Sequence, residues 1–344
     1  MTAIPRFILT SFLMLGVLAC ACGCSIGREN LSRHEYTQII MGVEARIVLY
    51  SKNEPAAKRA ARAAFDRMND LDAVLSDYRS DSELMRVCQT TGDRPIRVSA
   101  DLFRVLIQAH EIATLSNGAF DPSIGPVVQL WREARRTGER PSRAATADAM
   151  SRVGWSKITL DSQERTVQLA VPNMQLDLGG IGKGFAVDEA IAVLIEAGIT
   201  RCLVDLGGDI AAGDPPPGKN AWTVAVTSNP RHTDVIRIPL RRMGIATSAD
   251  TEQFVQIGGE RYSHIIDPRT GLPLTNRIAV TVIAPDATTA DALASAISVL
   301  GPDDGLALLE SFPFSWARIV LQTDEGPRIV QSADFPAPID TEVR

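Results

Sequence analysis

Hydrophobic and polar positions recur along this chain at intervals that predict its elements. Ile39-Ile40-Met41-Gly42-Val43 and Ile47-Val48-Leu49-Tyr50 are short apolar runs of strand type. The repeat then changes. Between residues 55 and 75, Ala64, Phe65, Met68, Leu71, Val74 and Leu75 fall on one side of a 3.6-residue period, which predicts an amphipathic helix. Further helices are predicted over 101–115 behind a Ser99 cap, and over 125–137, 146–153, 183–197 and 288–299. Strands are predicted over 157–161, 166–171, 174–178, 201–205, 222–227, 234–239, 278–284 and 316–322. Helices and strands interleave without a repeating βαβ unit, so the pattern predicts an α+β fold and not a doubly wound sheet. Asp214-Pro-Pro-Pro-Gly-Lys-Asn220 reads as a surface turn between strands.

The N-terminus follows other rules. A short basic start, Met1 to Arg6, precedes an apolar run from Phe7 to Ala19 that is too short for a comfortable mature membrane span and predicts an export signal. The run closes on Val17-Leu18-Ala19-Cys20-Ala21-Cys22-Gly23-Cys24, which is similar to a bacterial lipobox. Val17 and Ala19 take the −3 and −1 places if Cys20 is lipidated; Cys24, behind Gly23, is the alternative, and an ordinary cleaved signal with incidental cysteines is the plainer reading. The expected organisation is a signal peptide over 1–19, a lipidated polar tether over 20–35, one domain over 36–333 and a loose tail over 334–344. Such a protein is exported and anchored by lipid, facing the periplasm or the cell exterior.

Composition narrows the choice. The 344 residues are 45% hydrophobic and 22% charged, enough apolar material for a sizeable core. A net charge of −6 argues against a nucleic-acid partner, because phosphate-backbone binders carry a basic excess or face. Outside the N-terminal run only Cys88 and Cys202 remain, a single potential pair; Cys202 lies in an apolar strand-like run, which favours a buried free thiol. No Cys/His spacing of the zinc type occurs.

Four stretches carry candidate chemistry. In Leu176-Asp177-Leu178-Gly179-Gly180-Ile181-Gly182-Lys183-Gly184-Phe185-Ala186-Val187-Asp188 an apolar run enters glycines and then a helix, where free N–H groups and the helix dipole suit a pyrophosphate. The spacing matches neither a Walker loop nor the Rossmann fingerprint, and a plain tight turn gives the same letters. Leu203-Val204-Asp205-Leu206-Gly207-Gly208-Asp209 ends a strand in paired glycines and an acid, so Asp209 is placed to accept hydrogen bonds from a flat ligand, or simply to end a hairpin. Gly244-Ile245-Ala246-Thr247-Ser248-Ala249-Asp250 precedes His264-Ile265-Ile266-Asp267-Pro268, where Asp267 is close enough in sequence to orient an imidazole that activates a hydroxyl. In Thr288-Thr289-Ala290-Asp291-Ala292-Leu293-Ala294-Ser295 a Thr cap puts Asp291 in the first helical turn. Asp291 and Ser295, four apart, then present two hard oxygens that suit Mg²⁺, although an acid at a helix N-terminus is also an ordinary dipole partner.

Taken in order with Met41-Gly42, Leu75-Ser76-Asp77-Tyr78 and Gly118-Ala119-Phe120-Asp121-Pro122, these stretches resemble the ApbE family of FAD:protein FMN transferases from about Met41 to about Leu300. The resemblance implies a T-fold-like α+β architecture of mixed, largely antiparallel sheets packed with helices. It implies Mg²⁺ held by the Gly182 carbonyl, Asp291 and Ser295, the last commonly Thr in the family. It places Met41 and Tyr78 near the flavin or adenine ring of FAD, Lys183 and Asp188 at the nucleotide, and His264 near the pyrophosphate as the catalytic group; Asp121, Asp209 and Ser248 complete the expected FAD contacts. The implied reaction moves FMN from FAD to a Thr or Ser hydroxyl of flavoprotein subunits in membrane electron-transport complexes, releasing AMP. An FAD pyrophosphatase and a non-catalytic flavin-binding lipoprotein are the alternatives. The lipobox reading has a direct test: Cys20→Ser should move the protein from the membrane to the soluble fraction of fractionated cells. Release by Cys24→Ser alone would reassign the lipid to Cys24, and release by neither would contradict a lipid anchor.

Overall fold

The computed structural model describes residues 30–90, 92, 94–227, 235–249 and 254–339. Cys20 and Cys24 lie outside the described residues. From Leu31 onward the described chain forms one compact unit. Its centre is an eight-stranded sheet whose strands stand side by side in chain order: β1 (Ser32–Ile40), β2 (Val43–Ser51), β3 (Cys202–Leu206), β4 (Asp209–Ala212), β5 (Gly244–Ala249), β6 (Arg277–Ala284), β7 (Trp316–Thr323) and β8 (Gly326–Gln331). Every neighbouring pair is antiparallel. The helices are excursions from this meander. Between β2 and β3 run α1 (Glu54–Leu75), α2 (Glu83–Gln89), α3 (Ala100–Leu115), α4 (Gly125–Thr137), α5 (Arg143–Ser151) and α6 (Gly182–Glu196); between β6 and β7 run α7 (Ala287–Leu300) and α8 (Pro302–Leu309). The α+β class with largely antiparallel sheets is the one the pattern predicts.

The period-two alternation of the strands divides the interior. On one face Ala45, Ile47, Leu49, Val204, Leu206, Ala246, Val280 and Val282 pack under Met68, Leu71, Phe185, Ala190, Leu293 and Ile297 of α1, α6 and α7. Val48, Leu203, Ile210, Ile245 and Ile283 point the other way and are covered by Trp222, Val224, Ile238 and Leu240 of a hairpin, Trp222–Thr227 with Val235–Leu240. A third cluster joins Val127 and Trp131 of α4 and Ala149 of α5 to Tyr262 and Ile266.

Several boundaries differ from expectation. Met41-Gly42 is not strand but the two-residue turn between β1 and β2, with φ of 50° and 76°, the left-handed pair a tight hairpin needs. β1 already starts at Ser32, inside the stretch read as tether, because its backbone pairs with β2 as far as Ser51. The tail is not loose at its start: Phe335 is buried against the hairpin layer and the Ile339 N–H donates to the Arg237 carbonyl at 2.7 Å. Residues 174–178 form no ladder. Gln175 makes a single bridge to Ile124, while the Leu176 and Asp177 N–H groups donate to Cys88 Sγ and the Pro122 carbonyl. Asp286 caps α7 by accepting from the Thr289 N–H at 2.7 Å, so no threonine is the cap and Asp291 falls in the second turn. Cys88 and Cys202 are buried free thiols, pushed up to about 11 and about 12 mainly by burial.

Candidate active site

The site grows from the meeting of α6 and α7 at their N-termini. Ile181 precedes α6 and gives it no side-chain cap; the Gly182 N–H donates back to the Leu178 carbonyl at 2.8 Å. The Gly184 N–H donates to Asp291 Oδ2 of α7 at 3.2 Å. Asp188 of α6 returns the contact: its oxygens accept from the Ala287 and Thr288 N–H groups at 2.9 and 2.8 Å and from the Thr288 hydroxyl at 2.5 Å. The helices come this close because position 184 has no side chain. A Cβ there would lie 2.3 Å from the Ala287 carbonyl oxygen. At Gly180 a Cβ would lie 2.7 Å from Ser295 Oγ, so that hydroxyl rests against the glycine turn, with the Phe120 ring on the same glycine.

Lys183 projects from the first turn of α6 to Asp209 at the start of β4, and the two form a salt bridge. Burial opposes the Lys183 ammonium, but the Asp209 and Asp291 carboxylates outweigh it and hold the lysine charged. Burial, and then the Asp291 charge, pushes Asp209 up to about 7; burial also raises Asp291, partly offset by Lys183 and the Gly184 N–H. Two buried carboxylates thus share one ammonium. Among the described residues there is no cluster of three or more His, Cys, Asp or Glu side chains able to hold a metal. Asp291, Ser295 and the α6 terminus instead offer one charged and several neutral hard donors.

Two sheet turns close one flank. Gly207 packs so tightly on the Val43 side chain that a Cβ would fall 2.9 Å from it, which seats the Gly207-Gly208 turn beside the Met41-Gly42 turn. Met41 therefore stands next to the β4 start that carries Asp209. The opposite flank begins where α1 ends. Leu75 packs at Gly182, and three residues on Tyr78 is 80% exposed, with the Arg132 guanidinium of α4 stacked 4.1 Å from its ring centre. Arg132 also pairs with Asp77 at 2.5 Å and Asp177 at 3.4 Å. The preceding residue, Trp131, donates its indole N–H to the Gly271 carbonyl at 3.0 Å and stacks on Tyr262 at 5.1 Å. That fastens the segment bearing His264 to the same helix.

The structure therefore brings Gly182, Lys183, Asp209, Asp291 and Ser295 together, with the Met41-Gly42 turn beside the Gly207-Gly208 turn and Tyr78 just beyond Leu75, which packs at Gly182. Other expected roles change. Asp121 accepts from the Ser123 N–H and hydroxyl and the Trp155 N–H, so its oxygens hold its own loop. Asp188 is spent on α7 in the same way. Asp209 faces Lys183 and not solvent. Both oxygens of Asp267 accept from Arg269 at 2.9 Å, so a guanidinium is among its partners. Half-buried Ser248 lies in β5 opposite Val280. Arg132 was missed in the sequence, since nothing in an amphipathic helix marks one of its three arginines as facing a tyrosine more than fifty residues away.

The match to known proteins follows this geometry. A family model described as the ApbE family fits residues 41–317. The chain belongs to the ApbE family. Curated relatives include an FAD:protein FMN transferase of Haemophilus influenzae, 35% identical over 269 residues, covering 75% of this chain and 77% of that protein. Another, of Treponema pallidum, is 35% identical over 320 residues, covering 87% and 88%. Among solved structures, the flavin transferase ApbE from Vibrio cholerae aligns with a TM-score of 0.80 at 29% identity, covering 89% of this chain and 98% of that one. In this ApbE family member the glycine stretch, the Asp209 turn and the Asp291–Ser295 turn of the family pattern meet at the α6 N-terminus.

The buried acids set a pH dependence. Asp177 and Asp188 are pushed up to about 6 and Asp209 to about 7, in each case chiefly by burial, from an ordinary 3.8. A carboxyl raised in the folded state keeps a proton that the unfolded chain has released. Its stabilising contribution is complete below pH ~4 and is lost as pH rises through the folded value. Asp101, held low chiefly by Arg67, is ionised in both states by then. With divalent ions chelated, the urea midpoint should fall between pH 5 and pH 8, and Asp188→Asn should flatten the lower part of that fall. A midpoint that rises over this interval would contradict the buried, raised carboxyls.

Proposed function

We propose that this chain transfers FMN from FAD to a Thr or Ser hydroxyl of target proteins; its relatives carry the name FAD:protein FMN transferase. The observation that carries this reading is the buried Lys183, Asp209 and Asp291 group at the uncapped start of α6. A pyrophosphate is favoured by the positive end of a helix, a fixed ammonium and a place for a divalent cation, and this group offers all three. The donor set fits Mg²⁺, a hard ion that takes a single carboxylate with hydroxyl, carbonyl and water oxygens: Asp291, Ser295 and the Gly182 carbonyl would hold it. Bound there, Mg²⁺ supplies positive charge for the pyrophosphate oxygens.

The chain's own residues do the rest. The positive end of α6 and the Lys183 ammonium hold and neutralise the pyrophosphate, and Met41 and Tyr78 receive the rings of FAD. The target hydroxyl forms a bond to the FMN-side phosphorus as the bond to the AMP oxygen breaks; His264 takes the hydroxyl proton, and AMP leaves. The product is a phosphoester between FMN and the protein. We further propose that a lipid at Cys20 keeps the enzyme on the outer face of the membrane, beside targets in electron-transport complexes.

Mass spectrometry of a Thr-bearing acceptor protein after incubation with FAD and Mg²⁺ tests the reaction: FMN on the acceptor together with AMP is expected, and AMP with an unmodified acceptor would point to hydrolysis instead. Asp291→Ala should abolish Mg²⁺-dependent turnover, since neutral oxygens alone do not offset the dehydration of the ion. Wild-type turnover of that variant at limiting Mg²⁺ would remove Asp291 from the ion site. His264→Ala should slow transfer by about 10²- to 10⁴-fold while FAD affinity changes far less. Equal losses of affinity and rate would make His264 a binding contact and not the proton acceptor.

A further inference from the structure

We infer that Arg132 is a positioning residue that fixes Tyr78 as a one-faced platform for a planar ring of FAD; this rests on the substrate proposed above. Tyr78 stands 80% exposed just beyond α1, so packing does little to orient its ring. What orients it is the Arg132 guanidinium, 4.1 Å from the ring centre. A flat cation on one face of a ring fills that face and leaves the other to a ligand. Tyr78 so held can accept only a flat partner on its free face.

Arg132 is itself held from two directions. Asp77, adjacent to Tyr78, pairs with Nη1 at 2.5 Å, and Asp177 of the glycine stretch pairs with Nη2 at 3.4 Å. The other Asp177 oxygen accepts from the N–H of Gly179 at 2.8 Å, one residue before Gly180, the glycine that faces Ser295. The guanidinium thus ties the ring platform to the glycine turn, setting the distance between the place for a ring and the place for a pyrophosphate. Lysine cannot do this. Its ammonium can pair with the carboxylates but has no plane to lay on the ring. A purely structural arginine would matter equally whether or not Tyr78 were present, and that difference is measurable.

The experiment is a double-mutant cycle on the full chain, with FAD affinity and the quenching of flavin fluorescence as readouts. Arg132→Met should weaken FAD binding about fivefold to tenfold and reduce the quenching at saturation. Arg132→Lys should keep the thermal midpoint near wild type yet lose most of the quenching. In a Tyr78→Ala background either Arg132 change should alter FAD affinity less than twofold. If Arg132→Met does not fold, the Lys variant carries the cycle alone. Additive effects, or Arg132 variants that quench like wild type, would overturn the platform role while leaving the substrate reading intact. A wild-type protein that fails to bind FAD would overturn both.

Discussion

The site rests on a reciprocal clasp between two helix N-termini. Asp188 of α6 takes the first N–H groups of α7, and Asp291 of α7 takes an N–H from the start of α6. Each carboxylate sits where the partner's helix dipole is positive, which offsets part of the cost of burying it. The clasp closes only because Gly184 and Gly244 leave room: a Cβ on Gly244 would lie 2.1 Å from the Ala287 nitrogen. Had these positions carried side chains, α7 would stand off from α6, and Asp291 and Ser295 would no longer face the glycine turn.

The clasp also explains the electrostatics. Desolvation raises both Asp209 and Asp291, and Lys183 answers only one full charge. A group left with excess buried negative charge is costly for stability on its own, and such arrangements collect where a ligand or ion completes them. The flanks add shape. The Met41 and Gly207 turns interlock on one side, and the Tyr78, Arg132 and Asp177 chain stands on the other, so the pocket for charge lies between two places for flat or apolar groups. The helix that carries Arg132 also anchors the His264 segment through Trp131, linking ring placement to the proposed proton acceptor.

Much of this was legible in the sequence. The 3.6-residue repeat of α1 and the Ser99 cap of α3 appear in the structure as predicted, because local periodicity and capping act within one turn of the chain. The seven family-like stretches were visible because close backbone approach restricts the residue types allowed: only glycine fits at 180 and 184. Side-chain partners far along the chain were not legible. Asp121 and Asp188 accept from N–H groups 34 and about 100 residues away, and no short window records that.

By itself, then, the sequence determined the α+β class, the main helices, the glycine turn with its helix, and the family, all of which depend on neighbours within a few residues or on motifs in order. Tertiary structure alone decided which elements the buried acids tie together, and that Arg132 reaches Tyr78. The physical reason is that a carboxylate or guanidinium is assigned by whichever opposite charge or N–H folding brings within about 3 Å, and that choice is made by the packing of whole elements.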